Sequence, residues 1–202
     1  QCYKSIPIQL CKENHKFQYS IVEHKGTSRK FGNSLDWIIN ANMAFRICNL
    51  SRIEYPLESK RIDDNIRVYM TDIGLYVSTF DYSLKRAILQ DKSIEDPSVN
   101  NLILKASKGG LYEALVLDML VKNGHKEIFF YKNEQGTVEM EFLIENSDGV
   151  VPIEVKAGRT GTKSLNTILK NENVSYGYKL SNQNIGVSDK KITLPLYMVM
   201  FI

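Results

Sequence analysis

The sequence predicts an α/β (α+β) protein in two parts, and three observations carry that reading. From residue 100 to the end, helical and extended patterns follow in the order αβββαββ, which calls for a mixed sheet covered by helices. The front places helices ahead of a two-stranded ribbon. Between them, residues 82–98 are polar and include Asp91, Asp96 and Pro97, the composition of a linker. The expected parts are therefore residues 1–90 and 91–202.

The front is justified element by element. Residues 5–14 suit a short helix that Pro7 opens. Phe17, Tyr19 and Ile21 alternate as in an extended stretch. Ser28 or Asn33 is placed to cap a helix over 29–42, whose stripe is Phe31, Leu35, Ile38, Ile39 and Ala41. Trp37 beside that stripe is expected in the core. Strand-like segments follow at 44–50 and 66–70, and Asp72 caps a helix to about residue 80. Short helices, a longer one and a ribbon are the order of a winged helix.

The back begins with a helix that contains Gly109 and Gly110 and stops at Gly124. Strands are expected at 128–131, 138–145 and 150–157, with Asn146-Ser147-Asp148-Gly149 as a hairpin turn. A helix over 160–170 and strands at 175–180 and 194–202 complete it.

Composition excludes some classes. The 202 residues are 43% hydrophobic with a net charge of +3, unlike a disordered chain. No run of about 18 apolar residues suggests a membrane span. Cys2, Cys11 and Cys48 make an odd count without paired spacing, which favours a reducing, cytoplasmic setting over a disulfide framework. The chain opens on Gln1 with no signal pattern after it, as expected of a fragment of a longer protein; a processed N-terminus is the alternative. The charge is uneven. Residues 1–60 hold nine Lys/Arg and five Asp/Glu, a net +4, while the remainder is nearly balanced. Lys25, Arg29 and Lys30 are the expected DNA contacts on that basic face, against the alternative of a solvated face.

The chemistry concentrates in residues 138–157. Strand alternation puts Glu139, Glu141, Leu143 and Glu145 on one face, and Val138, Met140, Phe142 and Ile144 on the other. Glu154 and Lys156 project together from the next strand, and the hairpin brings Glu141 alongside Glu154. Two carboxylates repel, and a divalent cation relieves the repulsion; hard oxygen ligands suit Mg²⁺. A neighbouring lysine can hold a water or stabilise charge on a phosphate. The alternative is an exposed strand face with a cross-strand Lys–Glu pair. Glu113 has only uncharged helical neighbours at spacings of three and four, so it is either paired or metal-bound, or a first-turn acid favoured by the helix dipole.

Three segments resemble one family: Lys108 to Glu113 (KGGLYE), Val138 to Ile144 (VEMEFLI) and Val151 to Gly158 (VPIEVKAG). Ser5-Ile6-Pro7, Gln9-Leu10, Phe17-Gln18-Tyr19, Leu35 to Ala41, Pro56-Leu57 and Tyr69 to Leu75 agree with it across the front. The family is the domain of unknown function (4143 type) that forms the C-terminal half of many bacterial and archaeal AAA-type ATPases. The resemblance implies a winged-helix-like front and a back similar to the PD-(D/E)XK, restriction-endonuclease-like fold. It implies that Glu113, Glu141, Glu154 and Lys156 form a catalytic set, with Glu141, Glu154 and the Val155 carbonyl around Mg²⁺. Glu141 stands where the family usually has Asp, which puts catalysis in question more than fold. Implied partners are double-stranded DNA and an N-terminal ATPase module, with no membrane. No G-x-x-x-x-G-K-[ST] occurs, so this chain is not expected to bind ATP. The competing expectations are a metal-dependent nuclease, a non-catalytic nucleic-acid-binding or regulatory module that keeps the fold, and a protein-interaction domain.

Overall fold

In the computed structural model, residues 1–12, 14–89, 101–156 and 162–202 are described. The chain is a mixed α/β protein. It divides into two compact units: Gln1–Arg46 with Arg67–Ala114, and Ile47–Ile66 with Leu115–Ile202.

The first unit is mainly helical. Helix α1 (Cys2–Leu10) buries Cys2, Ile6 and Leu10, spaced four apart so that they share a face. Pro7 lies inside this helix instead of opening it, because the buried stripe begins at Cys2. Tyr19–Val22 is a short helix, α2, where alternation suggested an extended stretch. Helix α3 (Ser28–Asn40) buries Phe31, Leu35 and Ile38. Its cap is Thr27, one residue before the expected Ser28, and the Thr27 hydroxyl accepts from the Lys30 N–H at 3.4 Å. Trp37 departs from expectation. It is 69% exposed, because Leu35 and Ile38 take the buried stripe and Trp37 falls outside it. Asp72 caps α4 (Ile73–Ser78) as expected, accepting from Leu75 N–H at 2.8 Å. The first part of the expected linker is helical: α5 spans Tyr82–Leu89. Residues 90–98 of that linker, with Asp91, Asp96, Pro97 and the expected boundary at 90/91, lie outside the described residues. Helix α6 (Asn101–Lys122) follows. At Gly110 a Cβ would stand 2.6 Å from the Leu10 carbonyl oxygen, so glycine is needed for this approach to α1.

Among the described residues, eight strands form one sheet. They are β1 (Ala44–Leu50), β2 (Arg61–Met70), β3 (Phe129–Lys132), β4 (Glu139–Asn146), β5 (Gly149–Val155), β6 (Gly177–Ser181), β7 (Gly186–Ser188) and β8 (Lys191–Pro195). Their order is β2-β1-β3-β4-β5-β6-β8-β7. β1 pairs in parallel with β3, through Cys48↔Phe129 and Asn49↔Phe130. The ribbon expected to be a wing is therefore part of the main sheet. Its apolar residues explain this: Ile47 and Leu50 are buried, which a solvated wing would not do for them.

β4 and β5 form the expected hairpin, with Asn146↔Gly149 as its last rung. Gly149 has φ +113°, which the turn requires of it. β5, β6 and β8 run parallel. Helix α7 (Lys163–Ile168) lies within the expected 160–170 span; residues 160 and 161 are outside the described residues, as are Ala157 and Gly158. The expected last strand, 194–202, is largely a 3-10 helix, Leu196–Phe201, entered through Pro195. Proline lacks the N–H that would continue the ladder. The core of this unit joins Leu50, Ile53, Leu57, Met140, Leu143, Leu165 and Val174.

Candidate functional site

β5 is flanked by β4 and β6, and five successive residues of β4, Met140 to Ile144, are buried with β5 residues Val150 to Val155. A sheet covered on both faces loses the simple apolar–polar alternation. β4 also carries a bulge. Tyr131 pairs with Met140 and Phe129 with Leu143, so β4 has one more residue than β3 over that stretch. Met140 and Leu143, which alternation assigns to opposite faces, consequently join one apolar cluster. Glu141 sits within the bulged stretch.

The structure brings Glu141, Glu154 and Lys156 together. Glu141 precedes Phe142 and Glu154 follows Ile153, the end rung of the hairpin ladder. The Lys156 ammonium donates to Glu141 Oε1 at 2.9 Å and lies 3.7 Å from Glu154 Oε1. The Val155 N–H donates to Glu141 Oε2 at 3.4 Å. The Lys156 N–H donates to the Leu180 carbonyl at 2.9 Å, which fixes the backbone at the end of β5. These carboxylates do not stand on an exposed strand face: Glu141 is 8% exposed and Glu154 only 1%. Glu154 Oε2 is buried and has no hydrogen-bond partner among the described residues.

That environment controls the charge of Glu154. Burial pushes its carboxyl up to about 7, and the Glu141 charge pushes the same way; Lys156 and Lys179 oppose them. Lys179 was not foreseen from the sequence. It pairs in register with Glu154 on the parallel strand β6, is 7% exposed, and donates to Gln183 Oε1 at 3.0 Å. The signal in the sequence is a lysine inside the strand-like Tyr178-Lys179-Leu180; what was hidden is the parallel register that sets it beside Glu154.

Glu113 belongs to the other compact unit, and its partners there account for it. Tyr69 donates its hydroxyl to Glu113 Oε2 at 2.8 Å, His15 Nδ1 lies 2.9 Å from the same oxygen, and Arg67 Nη1 lies 4.0 Å away. An ionised carboxylate only accepts, so His15 Nδ1 carries the proton of this bond. Burial alone would raise the Glu113 carboxyl, but His15, Arg67 and Tyr69 overcome it and hold the group down at about 2. Of the two readings of Glu113, the paired one describes this geometry. Arg67 is a further residue missed from the sequence; a charge inside the apolar run Ile66-Arg67-Val68-Tyr69-Met70 was its signal.

Lys25, Arg29 and Lys30 are all exposed, Lys25 in the turn before α3 and the other two in its first turn. Lys30 is engaged: its ammonium pairs with Glu23 and lies 5.1 Å from the Phe31 ring centroid.

Two carboxylates and a backbone position at a buried strand end suit a small hard cation that keeps several waters. The unsatisfied Glu154 oxygen is the feature such an ion would complete. Among the described residues no group of three or more His, Cys, Asp or Glu side chains converges, so the site supplies at most two carboxylates.

Residues 108–199 match the family described as domain of unknown function (DUF4143). The match starts in α6 and ends within the last 3-10 helix, so it takes in all three segments that carried the resemblance, up to Gly158. The resemblance read across the front, from Ser5 to Leu75, lies before it. No curated protein matches the chain. No helix among the described residues is long and apolar enough to cross a membrane.

Proposed function

We propose that the β4–β5 site is a divalent-cation-dependent, nuclease-like centre acting on the phosphodiester backbone of nucleic acid. The observation that carries this reading is the buried Glu154 carboxylate, with one oxygen unsatisfied among the described residues, beside Glu141 and Lys156. A structural ion pair would be expected to satisfy every buried oxygen. Glu141, Glu154 and the Val155 carbonyl would hold Mg²⁺, which would supply charge neutralisation at a phosphate and an acidified water. Lys156, tied to Glu141, orients a water and offers a proton donor at the end of β5. Lys179 adds a second positive charge beside Glu154, where an anionic backbone gains most. Glu113 acts by holding its own unit together through His15, Arg67 and Tyr69. Lys25 and Arg29 contribute contacts to the phosphate backbone of the nucleic acid, and an ATPase module preceding this chain supplies ATP binding in a cytoplasmic setting.

The test is a nicking assay on supercoiled DNA with Mg²⁺ or Mn²⁺, wild type beside Lys156→Ala. Metal-dependent nicking that the variant loses supports the reading. Equal cleavage by both proteins overturns it.

A second reading keeps the fold and drops the chemistry: a nucleic-acid-binding or regulatory module. One observation favours it. Both oxygens of Glu141 are already taken, by Lys156 and the Val155 N–H, in a position where the resembling family carries the shorter Asp. Cation binding without nicking would select this second reading.

A further inference from the structure

The chain has a single tryptophan, and α3 leaves it in the open. Beside Trp37 runs a groove of about 580 Å³ between α1 and α3. Its floor is buried and apolar, with Cys2 and Phe31; Tyr3, Asn33, Ser34 and Trp37 form its rim. Asn33, Ser34 and Trp37 are exposed, so an indole face, an amide and a hydroxyl meet solvent within one turn and a half of helix.

The charge in this part of the chain is mainly positive. Residues 1–46 hold seven Lys/Arg and three Asp/Glu. Asp36, next to Trp37, is neutralised by Arg46 at 2.7 Å, and Glu23 by Lys30. Burial and, after it, the nearby Asp72 charge push the Tyr3 hydroxyl above its ordinary pKa, and the Asp72 carboxylate caps α4. Lys4, adjacent to Tyr3, and Arg29, one turn before Asn33, are exposed cations that these acids leave over.

We propose that this groove binds single-stranded nucleic acid, an unpaired base stacking on Trp37 while Lys4 and Arg29 meet the flanking phosphates. Stacking platforms beside cations are how strands without sequence preference are held. Asn33 and Ser34 can meet a base edge next to the indole, so all three chemistries of a nucleotide find a partner. The side chains of an acidic peptide would use the cations and the floor but bring no planar π face to stack on the exposed indole. Bases within a duplex are already stacked on each other and cannot reach the indole. The proposal rests on the nucleic-acid reading above and names the strand form that the front of the chain holds.

Trp37 is its own reporter, because the rest of the chain adds no tryptophan emission. The full chain is titrated in EDTA at low salt with an oligothymidylate and an oligouridylate of about fifteen nucleotides, a length within reach of such sites. Quenching of Trp37 emission that weakens with added salt is expected. In anisotropy with a labelled oligothymidylate, Trp37→Ala should bind about tenfold more weakly, in line with one lost base stack. Trp37 is exposed, so the substitution leaves the buried stripe of α3 in place, and circular dichroism checks that. A Lys4→Gln/Arg29→Gln double variant should bind with a shallower salt dependence. Absence of quenching by both oligonucleotides, Trp37→Ala binding as tightly as wild type, or a duplex of equal length binding better than the single strand would each overturn the proposal. So would quenching by polyglutamate but not by oligonucleotide, which would mark a protein-docking groove. EDTA separates the two readings: quenching without any metal-dependent nicking removes the nuclease reading alone, and nicking without quenching removes this one alone.

Discussion

Glu113 and Glu154 are both buried glutamates, and they are built in opposite ways. Glu113, in the mainly helical unit, receives the Tyr69 hydroxyl and His15 Nδ1 and has Arg67 nearby; its carboxyl is held down at about 2. Glu154, in the sheet unit, has one oxygen near Lys156 and the other unsatisfied among the described residues; its carboxyl is pushed up to about 7. Burial is the largest influence on each, and it acts in the same direction on both. The outcome is decided by what surrounds the charge. A carboxylate oxygen met by several donors contributes to folding, whereas a buried oxygen with too few costs stability and stands ready for a ligand. The family resemblance groups these two residues in one catalytic set; their surroundings hold the two charges in different ways.

The largest expected effect breaks the partnered side. Glu113→Ala leaves the His15 and Tyr69 donors without their shared acceptor and takes the carboxylate charge from beside Arg67, and should cost about 3–5 kcal/mol in urea unfolding at pH 7. A cost under about 1 kcal/mol would mean that the cluster contributes no more than a surface pair.

The two glutamates also predict opposite pH limbs. The Glu113 carboxyl is depressed, so its contribution is present above pH 4.5, the ordinary value, and is lost as pH falls toward 2. The Glu154 carboxyl is raised, so its penalty is absent below pH 4.5 and grows as pH rises through 7. Without added metal, Glu154→Gln should therefore stabilise the protein by about 2–3 kcal/mol at pH 8 and change little at pH 4. Thermal melts at both pH values check this. A variant destabilised at pH 8 would show that the ionised carboxylate has partners of its own, and the comparison with Glu113 would collapse. Added Mg²⁺ should raise the melting temperature of wild type and leave that of Glu154→Gln nearly where it was.

How much of this was legible beforehand differs by element. The β4–β5 hairpin was readable because Asp148-Gly149 has one good use between two apolar runs. That hairpin by itself brought Glu141, Glu154 and Lys156 into one neighbourhood. The helix that became α6 was readable from its nearly all-round apolar surface. Pairings between distant strands were not readable. Nothing local in Cys48-Asn49 announces a parallel partner at Phe129-Phe130, so the ribbon was assigned to a wing when it belongs to the sheet. The same blindness hid Lys179, whose partner Glu154 lies 25 positions away on another strand. Trp37 failed for a different reason. A large aromatic is expected inside on average, but Leu35 and Ile38 already fill the buried stripe of α3.

The smallest expected effect sharpens the Glu154 side. Lys156 opposes burial and lowers the Glu154 carboxyl, so Lys156→Met should raise it further. A proton held more tightly competes better with a cation, and the pH at which Mg²⁺ binding is half-developed should move up, by up to about one unit. At pH 6 the variant should bind Mg²⁺ more weakly than wild type. At pH 9 the Glu154 carboxyl is ionised in either protein, and the variant has lost a positive charge that competed for Glu141 and Glu154. Its affinity there should equal or exceed that of wild type. Calorimetric titrations across this range should thus cross. Parallel curves, with the variant weaker at every pH by the same factor, would mean that Lys156 holds the strand end in place and does not act through its charge.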